Sequence, residues 1–333
     1  MDKIKFYLIK INEIFSFLSK IKFNKIKDNQ NILIYGISRG GTTLLAEALV
    51  DILKARLIWE PLFNHREVKF KTVNPYALKS YKQLELGWNP HVASANDVEV
   101  NTYFDAYFKL KKRNIRFLRF TDPENFSSSK YTVHKMCFGN FMYAYFQKRY
   151  NLKSVILLRH PFAVAASSLN FGNNYDYHKE NYAIWRYENS NKSGAFFNDF
   201  EDKYKLINSA FTLLVFQAVS QFSYVVNNLD KRNSIILFYE DLVIDKQLCH
   251  QQLEEFLNLP IDYEYLEGLL NKQSFSSGKG HTENDPMSQL SKWREVTSEK
   301  DIKEGLKIFE AFDFHLYSDG VLPVKSKFEA LVK

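Results

Sequence analysis

The chain has 333 residues, 45% of them hydrophobic, with 12 glycines and 8 prolines. That composition excludes collagen-like, low-complexity and largely disordered chains, and the length suits one large α/β domain or two domains of roughly 150 residues. The formal net charge is +7, yet residues 1–27 hold Lys3, Lys5, Lys10, Lys20, Lys22, Lys25 and Lys27 against Asp2 and Glu13, so the remainder carries only +2. Basicity confined to one short segment argues against a nucleic-acid partner. Cys137 and Cys249 cannot build a disulfide framework, and no Cys/His group has zinc spacing.

Within the first segment, Ile4, Leu8, Ile11, Phe15, Leu18 and Ile21 recur every three or four residues, which predicts one apolar helix face among lysines. Two readings stay open: an interfacial helix on an anionic membrane, or a helix packed on its own domain or a partner. No apolar run of membrane-spanning length is expected, and lysines within the apolar stretch speak against a signal peptide. The expected organisation is a basic amphipathic helix over 1–30, one domain over 31–320 and a tail over 321–333, in a cytoplasmic protein with possible peripheral membrane contact through residues 1–27.

From residue 31, short apolar runs alternate with helical stretches. Asn31–Tyr35 reads as a buried strand, Gly36–Gly41 as a turn and Thr42–Lys54 as a helix. Arg56–Trp59, Tyr131–Met136, Ser154–Leu158 and Ser234–Tyr239 read as further strands, the last after a long helical stretch, Leu206–Asn228. This alternation predicts an α/β fold, a parallel sheet flanked by helices on both faces. Ligands of such sheets bind beyond the carboxyl ends of the strands.

The turn after the first strand is Gly36-Ile37-Ser38-Arg39-Gly40-Gly41-Thr42-Thr43. Glycines allow backbone N–H groups to curl toward an anion, the helix start adds positive partial charge, and Ser38, Thr42 and Thr43 add hydroxyls. The spacing nearly matches the ATP-binding Walker A loop, but Thr42 stands where its lysine belongs. The basic residue is Arg39 instead, which makes the loop poor for ATP hydrolysis.

This loop resembles the 5′-phosphosulfate loop of sulfotransferases that use 3′-phosphoadenosine 5′-phosphosulfate (PAPS), with Gly40 replacing the usual Ser or Thr. Leu158-Arg159-His160-Pro161 through Ser167 resembles the same family's 3′-phosphate motif, in which an arginine and a serine eight residues on grip one phosphate. Tyr239-Glu240-Asp241-Leu242 resembles its Y-E-D-L turn, where the tyrosine lies near the nucleotide. Trp293-Arg294 before a helix over Glu299–Phe312 resembles its C-terminal W-[RK] segment. The resemblance covers most of residues 31–318 and implies a P-loop nucleotide-kinase-like fold, PAPS as co-substrate, PAP as product and no metal requirement. It also suggests that Lys279, in the polar loop Ser274–Lys292, closes on the 3′-phosphate; a solvated loop lysine reads equally well.

Sulfuryl transfer needs a base for the acceptor proton and cations for charge near the transferred group. Arg39 is one candidate cation. Lys135 is the second, at a strand end where many family members carry lysine; the alternative is a lysine reaching for water. Trp59-Glu60-Pro61-Leu62 looks like the segment in which carbohydrate sulfotransferases carry a glutamate base. Pro61 is expected to hold Glu60 extended and aimed into the cleft; a structural carboxylate paired with Arg39 is the alternative, and His65 and His134 are rival bases. The resemblance implies sulfation of an acceptor hydroxyl, on a glycan or glycolipid. A P-loop kinase-like phosphotransferase and a non-catalytic nucleotide-binding module are the competing functions.

Overall fold

Five apolar segments pair into one wholly parallel sheet: β1 (Gln30–Tyr35), β2 (Arg56–Trp59), β3 (Tyr131–Met136), β4 (Lys153–Leu158) and β5 (Ser234–Phe238), in the order β2-β3-β1-β4-β5. The computed structural model describes residues 30–62, 81, 83–87, 89–112, 126, 128–170, 194–272 and 285–332. The expected basic helix over 1–27, His65 and Lys279 lie outside the described residues.

Strand side chains alternate between the two faces, and the core divides accordingly. On one face, Leu33, Tyr35, Met136, Ile156, Leu158 and Phe238 pack with helices α2 (Val98–Phe108), α3 (Tyr143–Tyr150), α4 (Pro161–Asn170) and α5 (Ala210–Asn227). On the other, Ile32, Ile34, Trp59, Val133, Val155 and Leu157 pack with α1 (Thr42–Ile52), α7 (Lys246–Leu257) and α8 (Tyr263–Leu270). The short helix α6 (Tyr239–Ile244) follows β5, and α9 (Glu299–Ala311) and α10 (Lys325–Val332) complete the described chain.

All five predicted strands are present, with small shifts at their ends that have local causes. Tyr239 opens α6 instead of ending β5. The long helix starts at Ala210, because the Ser209 side chain caps it by accepting from the Thr212 N–H at 3.1 Å. That helix also corrects the expectation about apolar runs: Ala210–Asn227 is long and apolar enough to cross a membrane by length and composition. Most of it is buried inside the domain instead, against α4 and α9.

The strand order places β1 between β3 and β4, so connections leave β1 and β4 in opposite directions. In parallel sheets such a switch point, beyond the carboxyl ends of the strands, is where ligands bind. The turn 36–41 leaves β1 there, and Arg159 leaves β4 beside it.

Candidate active site

The turn after β1 is shaped by close contacts. The Gly40 N–H donates to the Ile37 carbonyl at 2.9 Å. Gly41, the residue before α1, has φ +88°, and a Cβ there would lie 2.3 Å from the Tyr239 ring. At Gly36 a Cβ would lie 2.4 Å from the Thr42 methyl and 2.9 Å from the Leu157 carbonyl. Glycine at these two points allows the backbone to lie flat against its neighbours. The buried Asn140 amide fastens the start of the turn, donating to the Gly36 carbonyl and to Gln221 Oε1, each at 2.7 Å, and to the Cys137 carbonyl at 3.1 Å.

Two motifs 120 residues apart in sequence meet at this end of the sheet. Arg159 donates from a terminal nitrogen to the Arg39 carbonyl at 2.7 Å, and Arg39 Nε donates to Ser167 Oγ at 3.2 Å. Arg39 itself is in the left-handed region, with φ +66°. The Arg159 guanidinium lies 4.2 Å over the Tyr239 ring, whose hydroxyl accepts from Gln289 Nε2 at 3.2 Å. Arg159 Nε is buried with no hydrogen-bond acceptor among the described residues. Thus Arg39, Gly41, Arg159, Ser167 and Tyr239 form one contiguous group beside Ser38 and Gly40, with Thr42 and Thr43 starting α1.

A second group lies at the ends of β2 and β3. Lys135 Nζ forms a buried ion pair with Glu60 Oε1, donates to Cys137 Sγ at 3.1 Å and stands 4.3 Å over the Trp59 ring. The other Glu60 oxygen accepts the Cys137 N–H at 3.0 Å. Cys137 Sγ also lies 3.1 Å from Thr42 Oγ1, joining this group to the first turn of α1. Burial pushes the Cys137 thiol up to about 12, so it is neutral at ordinary pH. Burial alone would lower the Lys135 ammonium, but its neighbours outweigh that and hold it above its usual range. With the thiol neutral, the Glu60 carboxylate is the neighbour that keeps the lysine charged.

Several expectations change here. Glu60 is not extended: its φ is +45°, held by its N–H donating to the Lys135 carbonyl at 2.9 Å and by both carboxylate oxygens. Those three bonds outweigh the preference for extended backbone that Pro61 imposes. The partner of Glu60 is Lys135, not Arg39, and Lys135 is buried instead of reaching water. His134 is fully buried on the opposite face, bonded to the Tyr107 hydroxyl at 2.6 Å and to Asn31 Oδ1 at 2.7 Å. Burial depresses its pKa to about 3, and enclosure leaves it no approach to an acceptor. Sequence reasoning missed Cys137 and Asn140. The position of Cys137 two residues after Lys135, on the same strand side, was the available signal.

Together these groups bring Arg39, Arg159 and the glycine turn before α1 into contact, with a buried carboxylate–ammonium pair next to them. No group of three or more His, Cys, Asp or Glu side chains that could hold a metal ion occurs among the described residues.

No curated protein matches the chain significantly. Similar solved structures include the sulfotransferase domain from the curacin biosynthetic pathway, with 15% identity and TM-score 0.47 over 87% of this chain and 99% of that one. A mouse sulfotransferase complexed with PAP has 15% identity and TM-score 0.44, over 87% of this chain and 86% of that one. Retinol dehydratase in complex with androsterone and inactive cofactor PAP has 18% identity and TM-score 0.41, over 87% and 82%. The sulfotransferase domain itself matches residues 29–308, a span that contains every strand, the turn 36–41, Glu60, Lys135, Arg159, Ser167 and Tyr239. On that match the chain belongs to the sulfotransferase domain family and is a sulfotransferase.

Proposed function

We propose that the protein transfers a sulfuryl group from PAPS to an acceptor hydroxyl on a carbohydrate, releasing PAP. The observation that carries this reading is the junction of the two anion-binding features, Arg159 to the Arg39 carbonyl and Arg39 Nε to Ser167 Oγ. A donor with a 5′-phosphosulfate and a separate 3′-phosphate needs two such features side by side. The residues fit it: the buried Arg159 Nε retains an unused donor among the described residues, beside a glycine turn whose backbone packs closely on Tyr239.

In this reading Ser38, Arg39, Gly40, Gly41, Thr42 and Thr43 hold the 5′-phosphosulfate, and Arg159 and Ser167 hold the 3′-phosphate. Tyr239 backs both, and Lys279 closes over the 3′-phosphate. When bound, PAPS supplies the sulfuryl group and an anionic leaving phosphate. Lys135 and Arg39 provide positive charge beside the transferred group. Glu60 accepts the acceptor's proton: each carboxylate oxygen has two lone-pair directions, and the bonds to Lys135 and Cys137 leave one open on each. The donor lacks the β/γ-bridge that magnesium neutralises in ATP chemistry, so this reading requires no metal. The carbohydrate assignment rests on the likeness of Trp59-Glu60-Pro61-Leu62 to carbohydrate sulfotransferases. Residues 1–27 would hold the enzyme at an anionic membrane surface in the cytoplasm, within reach of a glycolipid.

The test is a thermal-shift titration of the full chain with PAP and, separately, with ATP and magnesium. PAP is expected to raise the melting temperature, and Arg159→Ala to shift the titration by about tenfold or more, as loss of a charge-assisted hydrogen bond does. Stabilisation by ATP with magnesium and not by PAP would overturn the proposal.

A further inference from the structure

The chain beyond the matched domain returns to the nucleotide side of the site. After residue 308, Phe314, Leu316 and Tyr317 are buried in the core on the α4–α5 face. The Tyr317 hydroxyl donates to Glu240 Oε2 at 2.8 Å, while Glu240 Oε1 accepts the His160 N–H at 3.0 Å. Glu240 follows Tyr239 and His160 follows Arg159, so this one carboxylate ties the backbones that carry both donor-side residues.

The strap is fastened at further points. His160 Nε2 donates to the Ser318 carbonyl at 3.1 Å, its Nδ1 accepts the Phe162 N–H at 3.1 Å, and its ring stacks on Trp293 at 4.8 Å. Arg294 donates to the Asp319 carbonyl. The Val324 N–H then donates to the Leu316 carbonyl at 2.8 Å, turning the chain back. Lys325 pairs with Asp241 and lies 4.8 Å over the Phe238 ring. Both acids that follow Tyr239 are thus engaged by the C-terminal segment.

We propose that residues 314–325 form a strap that positions Arg159 and Tyr239 for the donor nucleotide, with Tyr317 and Lys325 as its positioning residues. The inference rests on the reading that Arg159 and Tyr239 hold the donor. Removing the Tyr317 hydroxyl leaves a buried carboxylate oxygen without its partner. Glu240 then shifts toward another donor and carries with it the residues on either side of the Arg159–Tyr239 stack.

A mutant cycle on the full-length protein tests this, with PAP affinity read by calorimetry for wild type, Tyr317→Phe, Arg159→Ala and the double variant. Tyr317→Phe is expected to weaken PAP binding about tenfold and raise the donor KM, leaving the acceptor KM unchanged. Because the strap acts through Arg159 as well as Tyr239, the loss in the double variant is expected to be clearly smaller than the sum of the two single losses. Fully additive losses, or unchanged PAP affinity in folded Tyr317→Phe, would overturn the strap. Unchanged affinity in Arg159→Ala would instead overturn the donor-site reading. Should Tyr317→Phe fail to fold, Lys325→Gln in the same cycle decides, with the same expectation of non-additivity.

Discussion

Lys135 and Glu60 form an ion pair across neighbouring parallel strands, both side chains almost completely buried. Their meeting follows from register: Trp59 pairs with Lys135 in the sheet, so the residue after Trp59 ends beside the lysine. A buried pair of this kind costs desolvation on both partners, and stability alone is a weak reason for it. Its position next to Thr42, through Cys137, is better explained by chemistry at the phosphate loop.

Glu60→Gln should slow sulfate transfer by about 10²–10⁴-fold, the usual contribution of a general base, with donor affinity nearly unchanged. The amide keeps one accepting oxygen, for either Lys135 or the Cys137 N–H, turns a donor NH2 toward the other, and cannot take the acceptor's proton at neutral pH. Single-turnover rates and PAP calorimetry separate the two effects. A tenfold loss of affinity at an unchanged rate would mark Glu60 as structural, and His65 would be the next base to substitute.

Gly41→Ala should lower the melting temperature and weaken PAP binding together. The position combines φ +88° with a Cβ site 2.3 Å from the Tyr239 ring, so either the turn or the ring must move. A variant that melts and binds PAP like wild type would show that the turn is not held in this conformation.

Stability should fall as the pH drops below about 6.5, the ordinary histidine value. Burial depresses His134 and His160 to about 3 in the folded protein. The unfolded chain therefore binds more protons between those values, and each histidine removes up to ~1.4 kcal/mol per pH unit on acidification through that window. Glu240, raised by burial, works in the opposite direction and offsets part of the loss. Urea midpoints from pH 7.5 to 4 should decline, and His134→Asn should flatten the slope; a flat wild-type profile contradicts the buried neutral histidines.

Removing residues 1–27 should leave a folded domain that binds PAP and no longer sediments with anionic vesicles. A full-length chain that never sediments with them removes the membrane role. A truncated chain that cannot fold makes the segment part of the core.

Much of the fold could be read from the sequence because buried parallel strands are written as continuous apolar runs, as in Ser154–Leu158. The placement of Arg159 at the end of β4 and of Ser167 in the helix that follows was legible for a local reason, a strand end and a helix turn eight residues apart. The Glu60–Lys135 pair was not, since it depends on β2 lying beside β3 across 75 residues of sequence. His134 and Lys135 are adjacent in sequence, yet alternation sends one beneath α2 and the other toward α1. Nor did the apolar length of α5 reveal its place in the core, which depends on the helices packed around it.

Labelled sulfate followed from PAPS onto a panel of glycan, glycolipid, phenol and peptide acceptors reads the proposed reaction itself. Labelled product with stoichiometric PAP, strongest for a carbohydrate acceptor and nearly lost in Glu60→Gln, is the predicted result. Transfer confined to phenols or peptides would contradict the carbohydrate assignment, and full activity in Glu60→Gln would contradict the proposed base. A folded protein that binds no PAP and transfers no label to any acceptor would contradict the proposal as a whole.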